Sequence, residues 1–118
     1  MRVMIVEDEY VVAWDMEALL SELGHTVVAV AAHGEEAVGL ALDLRPDAII
    51  MDIRLAQGTD GIDAARRIQD ATGIRILFAS ALGDPETRRR AASVCPAGFL
   101  HKPVSAGAMA RALEALGG

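Results

Sequence analysis

Apolar and polar positions along the chain fall into two patterns that take turns. Val3, Met4, Ile5 and Val6 form an unbroken apolar run, as in a strand buried on both faces. Beyond Glu7-Asp8-Glu9, apolar residues recur at helical spacing (Val12, Met16, Leu19, Leu20, Leu23), and Gly24 stops the helix. Thr26 to Val30 reads as a second strand. Gly34 to Leu44 reads as a second helix, ended by Arg45-Pro46, because a residue before proline is steered away from helical geometry. Ala48-Ile49-Ile50-Met51 predicts a third buried strand with Asp52 at its end. A loop from Ile53 to Thr59 leads to an amphipathic helix over about Asp60 to Ala71, and Arg75 to Ala79 is the fourth strand. Asp84-Pro85-Glu86 is a helix start: an N-capping acid, a proline in the first turn, then an acid that favours the positive end of the helix dipole. That helix is expected to run to about Val94. Ala97 to Leu100 predicts the fifth strand and Val104 to Leu116 the last helix, with Gly117-Gly118 ending the chain.

Buried strands alternating with amphipathic helices imply an α/β fold whose parallel sheet is covered on both faces. Right-handed crossovers leave few topologies, and ligands bind such sheets beyond the carboxyl ends of the strands. The residues predicted at those ends are Glu7 and Asp8, then Asp52, then Ser80, then Lys102.

Composition narrows the class. The chain has 118 residues, 53% hydrophobic and 24% charged, which suits one globular domain over 1–118. Its formal net charge of -6 argues against direct attraction to nucleic acid or an anionic membrane. Aromatics make up only 3%, which argues against a base-stacking platform for single-stranded nucleic acid. The single cysteine, Cys95, has no internal disulfide partner and reads as a buried or half-buried small side chain. No apolar stretch approaches a membrane span, and Met1-Arg2 leads straight into a strand-like run. A cytoplasmic protein is expected.

The residues at the strand ends make a coherent chemistry. Three clustered carboxylates repel unless a cation joins them. Hard oxygen donors suit Mg²⁺, which often bridges carboxylate and phosphate. Lys102 is the only lysine in a chain that otherwise uses arginine. Its ammonium is a compact point charge for a phosphoryl oxygen, and Ser80 can donate one hydrogen bond to the same group. Taken singly, each has a plainer reading: an acid at a helix start, a turn aspartate, a surface lysine. Glu9 keeps the plainer reading. Asp60-Gly61 is most simply a helix entry, Trp14 is expected to pack partly against its neighbours, and Arg88-Arg89-Arg90 reads as a solvated helix face. His25, His33 and His101 lack metal-ligand spacing.

In order, Ile5-Val6-Glu7-Asp8-Glu9, Ile50-Met51-Asp52, Asp60-Gly61, Phe78-Ala79-Ser80-Ala81 and Phe99-Leu100-His101-Lys102-Pro103 make the chain resemble a response-regulator receiver domain of two-component signalling. The resemblance covers essentially the whole chain. It implies a flavodoxin-like (βα)5 three-layer sandwich with strand order 2-1-3-4-5. It implies that Asp52 accepts a phosphoryl group from a phosphohistidine on a sensor histidine kinase or histidine phosphotransfer protein. Mg²⁺ (or Mn²⁺) would be held by Asp8 and Asp52, by Glu7 through water, and by the backbone carbonyl of Arg54. Ser80 and Lys102 would meet the phosphoryl oxygens, and Phe99 would be the switch residue turning inward with Ser80. The Lys102-Pro103 bond would be cis. Signalling would pass to an unknown downstream protein through the face of helix four, strand five and helix five, and a homodimer is compatible with the family. Such a protein catalyses its own phosphorylation and dephosphorylation and is not a multi-turnover metabolic enzyme. It would be a stand-alone receiver or the receiver part of a longer regulator.

The chain departs from the common family pattern in four places. The loop after Asp52 is about one residue longer than usual and lacks the frequent proline. Arg54 stands where family members tune the lifetime of the phosphate. Ser80 replaces the commoner threonine, and Phe99 the commoner tyrosine. Two other functions suit the same fold. A flavodoxin-like electron carrier would want a Ser/Thr/Gly phosphate loop after strand one, where this chain has acids that repel a flavin phosphate. A receiver-like module that binds partners without phosphorylation would not need the full acid set.

Overall fold

The computed structural model describes residues 1–55, 60–81 and 85–117. Its elements are β1 (Arg2–Val6), α1 (Tyr10–Glu22), β2 (Thr26–Ala31), α2 (Gly34–Leu44), β3 (Ala48–Asp52), α3 (Gly61–Thr72), β4 (Arg75–Ser80), α4 (Pro85–Ala92), β5 (Gly98–His101) and α5 (Ala106–Ala115). The strands form one parallel sheet in the order β2-β1-β3-β4-β5. This is the expected flavodoxin-like arrangement.

Alternation along each strand sorts side chains to the two faces. Met4, Val6, Ile49, Met51, Ile76 and Phe78 pack with Ala37, Val38 and Ala41 of α2, with Ile62, Ala65 and Ile68 of α3, and with Ala91 of α4. Val3, Ile5, Ala48, Ile50, Leu77, Ala79 and Leu100 pack with Met16 and Leu20 of α1 and Met109 and Leu113 of α5. Both faces are covered, which is why β1 and β3 read as unbroken apolar runs.

Boundaries moved where local chemistry overrode periodicity. Asp60 stays outside α3 as its cap, accepting a hydrogen bond from the Ile62 amide at 2.8 Å. Ser105 caps α5, accepting from the Ala108 amide, so that helix begins at Ala106 and not at Val104. β5 runs one residue later than expected, Gly98–His101. α4 ends at Ala92, before Val94, and Cys95 takes a left-handed φ of 54° beyond it. The expected cap at Asp84 and most of the loop after Asp52 lie outside the described residues.

One packing expectation is corrected: Cys95 is exposed, not buried or half-buried. Trp14 packs partly against a neighbour, as expected: its ring meets that of Tyr10 at 6.5 Å, and it stays 66% exposed.

Candidate functional site

Register brings the site together. Val6 of β1 pairs with Met51 of β3, so Glu7 and Asp52 follow at the same level of the sheet. Asp52 pairs with Ala79 of β4, and Ser80 with His101 of β5. The Lys102 amide donates to the Ser80 carbonyl at 3.0 Å, which holds Lys102 beside the same edge. The Lys102-Pro103 bond is cis, as expected.

Glu7, Asp8 and Asp52 each place a carboxylate oxygen within 4.8 Å of the others. Glu7 and Asp52 are the buried charged residues among those described, and Asp8 is half-buried. Lys102 is driven between the two buried acids. Its Nζ donates to Glu7 Oε1 and lies 3.3 Å from Asp52 Oδ2. The other oxygens meet backbone: Glu7 Oε2 accepts from the Glu9 amide at 3.2 Å, and Asp52 Oδ1 from the Arg54 amide at 3.4 Å. Burial of two like charges demands such partners, since an unpaired buried charge is costly.

Asp52 feels this balance. Burial pushes its carboxyl up, Lys102 pulls it down, and Glu7 pushes it up again, leaving it raised to about 6 from 3.8. For Lys102, burial works against the charge. The hydrogen bond to Glu7 and the charge of Asp52 outweigh it, and the ammonium is held above its ordinary value.

An open cavity of about 260 Å³ lies over these groups, lined by Asp52, Arg54, Ser80, Thr87, Lys102 and Glu9 among others. Ser80 lines it, but its hydroxyl donates to the Ala81 carbonyl at 2.9 Å and not to the acid cluster. Phe99 stands apart in an adjoining crevice that Ser80 also lines. Gly61 explains the Asp60-Gly61 pair. A Cβ there would fall 1.9 Å from the Asp52 carbonyl oxygen, and the Gly61 amide donates to the Ile53 carbonyl at 2.8 Å. Only glycine lets the start of α3 lie against the end of β3.

Two contributors had no sequence signal. Thr87 reaches the cavity because α4 turns that side of its first turn toward Ser80. Arg88, exposed as expected, also lies over the Phe99 ring. Glu9, which keeps its place as the N-cap of α1 without a side-chain cap, also lines the cavity. Arg90 is likewise engaged, pairing with Asp60 across to α3.

Comparison with known proteins gives a consistent result. The family model described as response regulator receiver domain matches residues 3–114. The transcriptional regulatory protein PdtaR of Mycobacterium tuberculosis is 35% identical over 113 residues, covering 96% of this chain and 55% of that protein. The chain thus spans about half the length of that curated relative. The receiver domain of a modulated diguanylate cyclase from Desulfovibrio desulfuricans has a TM-score of 0.90 and 41% identity, over 96% of this chain and 90% of that one. The receiver domain of a sensor histidine kinase from Pseudomonas aeruginosa, solved with a magnesium ion in its active site cleft, has a TM-score of 0.87 and 30% identity, over 99% of this chain and 98% of that one.

Proposed function

The chain belongs to the response regulator receiver domain family of two-component systems, and from that premise we propose that Asp52 accepts a phosphoryl group from a phosphohistidine on a sensor histidine kinase or histidine phosphotransfer protein. Residues 1–118 act as one receiver, alone or within a longer regulator, and the phosphorylated state alters the face of α4, β5 and α5 for a downstream protein. The observation that carries this reading is the convergence of Glu7, Asp8, Asp52 and Lys102 at one sheet edge under an open cavity.

The donor set fits Mg²⁺. It is all oxygen, doubly buried and over-supplied with negative charge. Asp8 and Asp52 would hold the ion directly, Glu7 through water, and the Arg54 carbonyl would complete the protein's share. When bound, the cation supplies charge neutralisation between the carboxylates and the phosphoryl oxygens.

The chain's own residues do the rest. An ionised Asp52 oxygen forms the new P–O bond as the P–N bond of the phosphohistidine breaks, and the leaving imidazole takes up a proton from solvent. Such transfer depends on positioning and charge more than on covalent assistance. Lys102, now paired with Glu7 and Asp52, is placed to follow the new negative charge onto a phosphoryl oxygen. Ser80 must leave the Ala81 carbonyl to donate to another oxygen. Phe99 lines the same crevice as Ser80.

Acetyl phosphate with Mg²⁺ is expected to add one phosphoryl group, seen by intact-mass spectrometry, and Asp52→Asn to remove it. Equal labelling of Asp52→Asn would reject Asp52 as the acceptor. Lys102→Arg keeps the charge but brings a larger planar fork into a site shaped for a point charge. It should accept phosphate yet lose phosphorylation-dependent partner binding.

A further inference from the structure

Phe99 keeps 40% of its surface exposed. Its ring meets Phe78 at 5.9 Å between centroids, because the two residues pair across β4 and β5. The Arg88 guanidinium carbon lies 5.8 Å from the Phe99 ring centroid. At that range the ring's quadrupole attracts the cation. The contact joins α4 to β5. The crevice below it, lined by Ile53, Ser80, Thr87, Arg88, Phe99 and Leu100 among others, offers about 10 Å³ of open space. That is room for about one water and far too little for a phenyl ring. Phe99 can therefore turn toward Ser80 only if a wall of the crevice gives way, and Thr87 and Arg88 in the first turn of α4 form one side of that wall. α4 is suited to do so, since of its described residues only Ala91 is buried.

We infer that Arg88 is a positioning residue for the switch: stacked on Phe99, it holds the ring outward and ties the ring's inward turn to displacement of α4. This rests on the reading of Ser80 and Phe99 as switch partners, and extends it by naming what resists the switch. The energy of the stack belongs to the outward state alone, so it lowers the population that a phosphoryl group favours. The direction separates this role from a purely electrostatic one. Loss of a nearby cation weakens binding of an anion at Asp52, whereas loss of the latch strengthens it.

The test uses the full chain in saturating Mg²⁺, titrated with beryllium fluoride as an acyl-phosphate mimic and followed by ¹H–¹⁵N NMR. Arg88→Gln is expected to raise the apparent affinity about two- to fivefold. Arg88→Lys, which keeps the cation, should recover most of the original affinity. Phe99→Leu keeps apolar bulk without the ring, and in that background Arg88→Gln should change nothing, because the partner of the coupling is gone. Unchanged or weaker binding by Arg88→Gln overturns the inference, and so does an equal gain with and without the ring. If the unmodified chain binds no beryllium fluoride, the phosphoacceptor reading falls and the latch with it. Normal binding without coupling between Arg88 and Phe99 overturns the latch alone.

Discussion

α3 and α4 pack on the same face of the sheet and are held in different ways. α3 buries Gly61, Ile62, Ala64, Ala65 and Ile68 at helical spacing. α4, with the sequence PETRRRAA, buries only Ala91 among its described residues. Two exposed arginines tie it to its neighbours: Arg88 on Phe99 and Arg90 on Asp60. Apolar burial scales with area and is hard to undo piecemeal. Exposed arginine contacts are weak, screened by salt and easily exchanged. The helix fixed by burial carries the fixed part of the site, since Gly61 lies against the Asp52 carbonyl. The helix tied by exposed arginines borders Phe99, the part we propose to move. The low-stability elements of a protein are where switching is least costly.

This contrast can be broken most readily at the start of α3. Gly61→Ala forces a Cβ onto backbone, and we expect a loss of about 3 kcal/mol in urea unfolding, with weaker Mg²⁺ binding because Asp52 shifts. Ile68→Ala should lose about 2–4 kcal/mol through the cavity it leaves. Ala91→Gly on α4 should lose only about 1 kcal/mol, mostly backbone entropy. Equal losses at Ile68 and Ala91 would end the distinction between the two helices.

A smaller effect concerns charge. Asp52 binds its proton more tightly in the folded chain than in the unfolded one, with a pKa of about 6 against 3.8. Without metal, its contribution to stability is therefore greatest below 3.8 and falls as pH rises toward about 6. Asp52→Asn should remove that fall and stabilise the metal-free protein at neutral pH by about 1 kcal/mol, once solvent entering the cleft has screened the charge. Unfolding midpoints measured from pH 4 to pH 7 on the two proteins check it. The smallest change is expected of Arg90→Ala. It should leave the unfolding midpoint nearly unmoved, and any loss should vanish in high salt.

Much of this was legible locally. Val3 to Val6 and Ala48 to Met51 are buried on both faces, as short apolar runs in a covered sheet are. With five strands parallel, the acids and Lys102 at their ends had to meet at one edge. Boundaries were less legible where one side chain decided them. Ser105 stopped α5 short of Val104, and Asp60 closed the start of α3 from outside. The corrected exposure of Cys95 has another cause. A small residue is buried only if some other element covers it, and sequence spacing does not say which elements do.

The sequence by itself therefore determined the α/β order, the covered parallel sheet and the set of groups at its carboxyl edge, because strand and helix periods are local and registered strands end together. Only the tertiary structure decided that Lys102 is shared between Glu7 and Asp52, and that Arg88 rests on Phe99. Those choices depend on which side chains meet across elements distant in the chain. They are settled by packing and by the cost of leaving a buried charge unpaired, and neither is written in the period of any one segment.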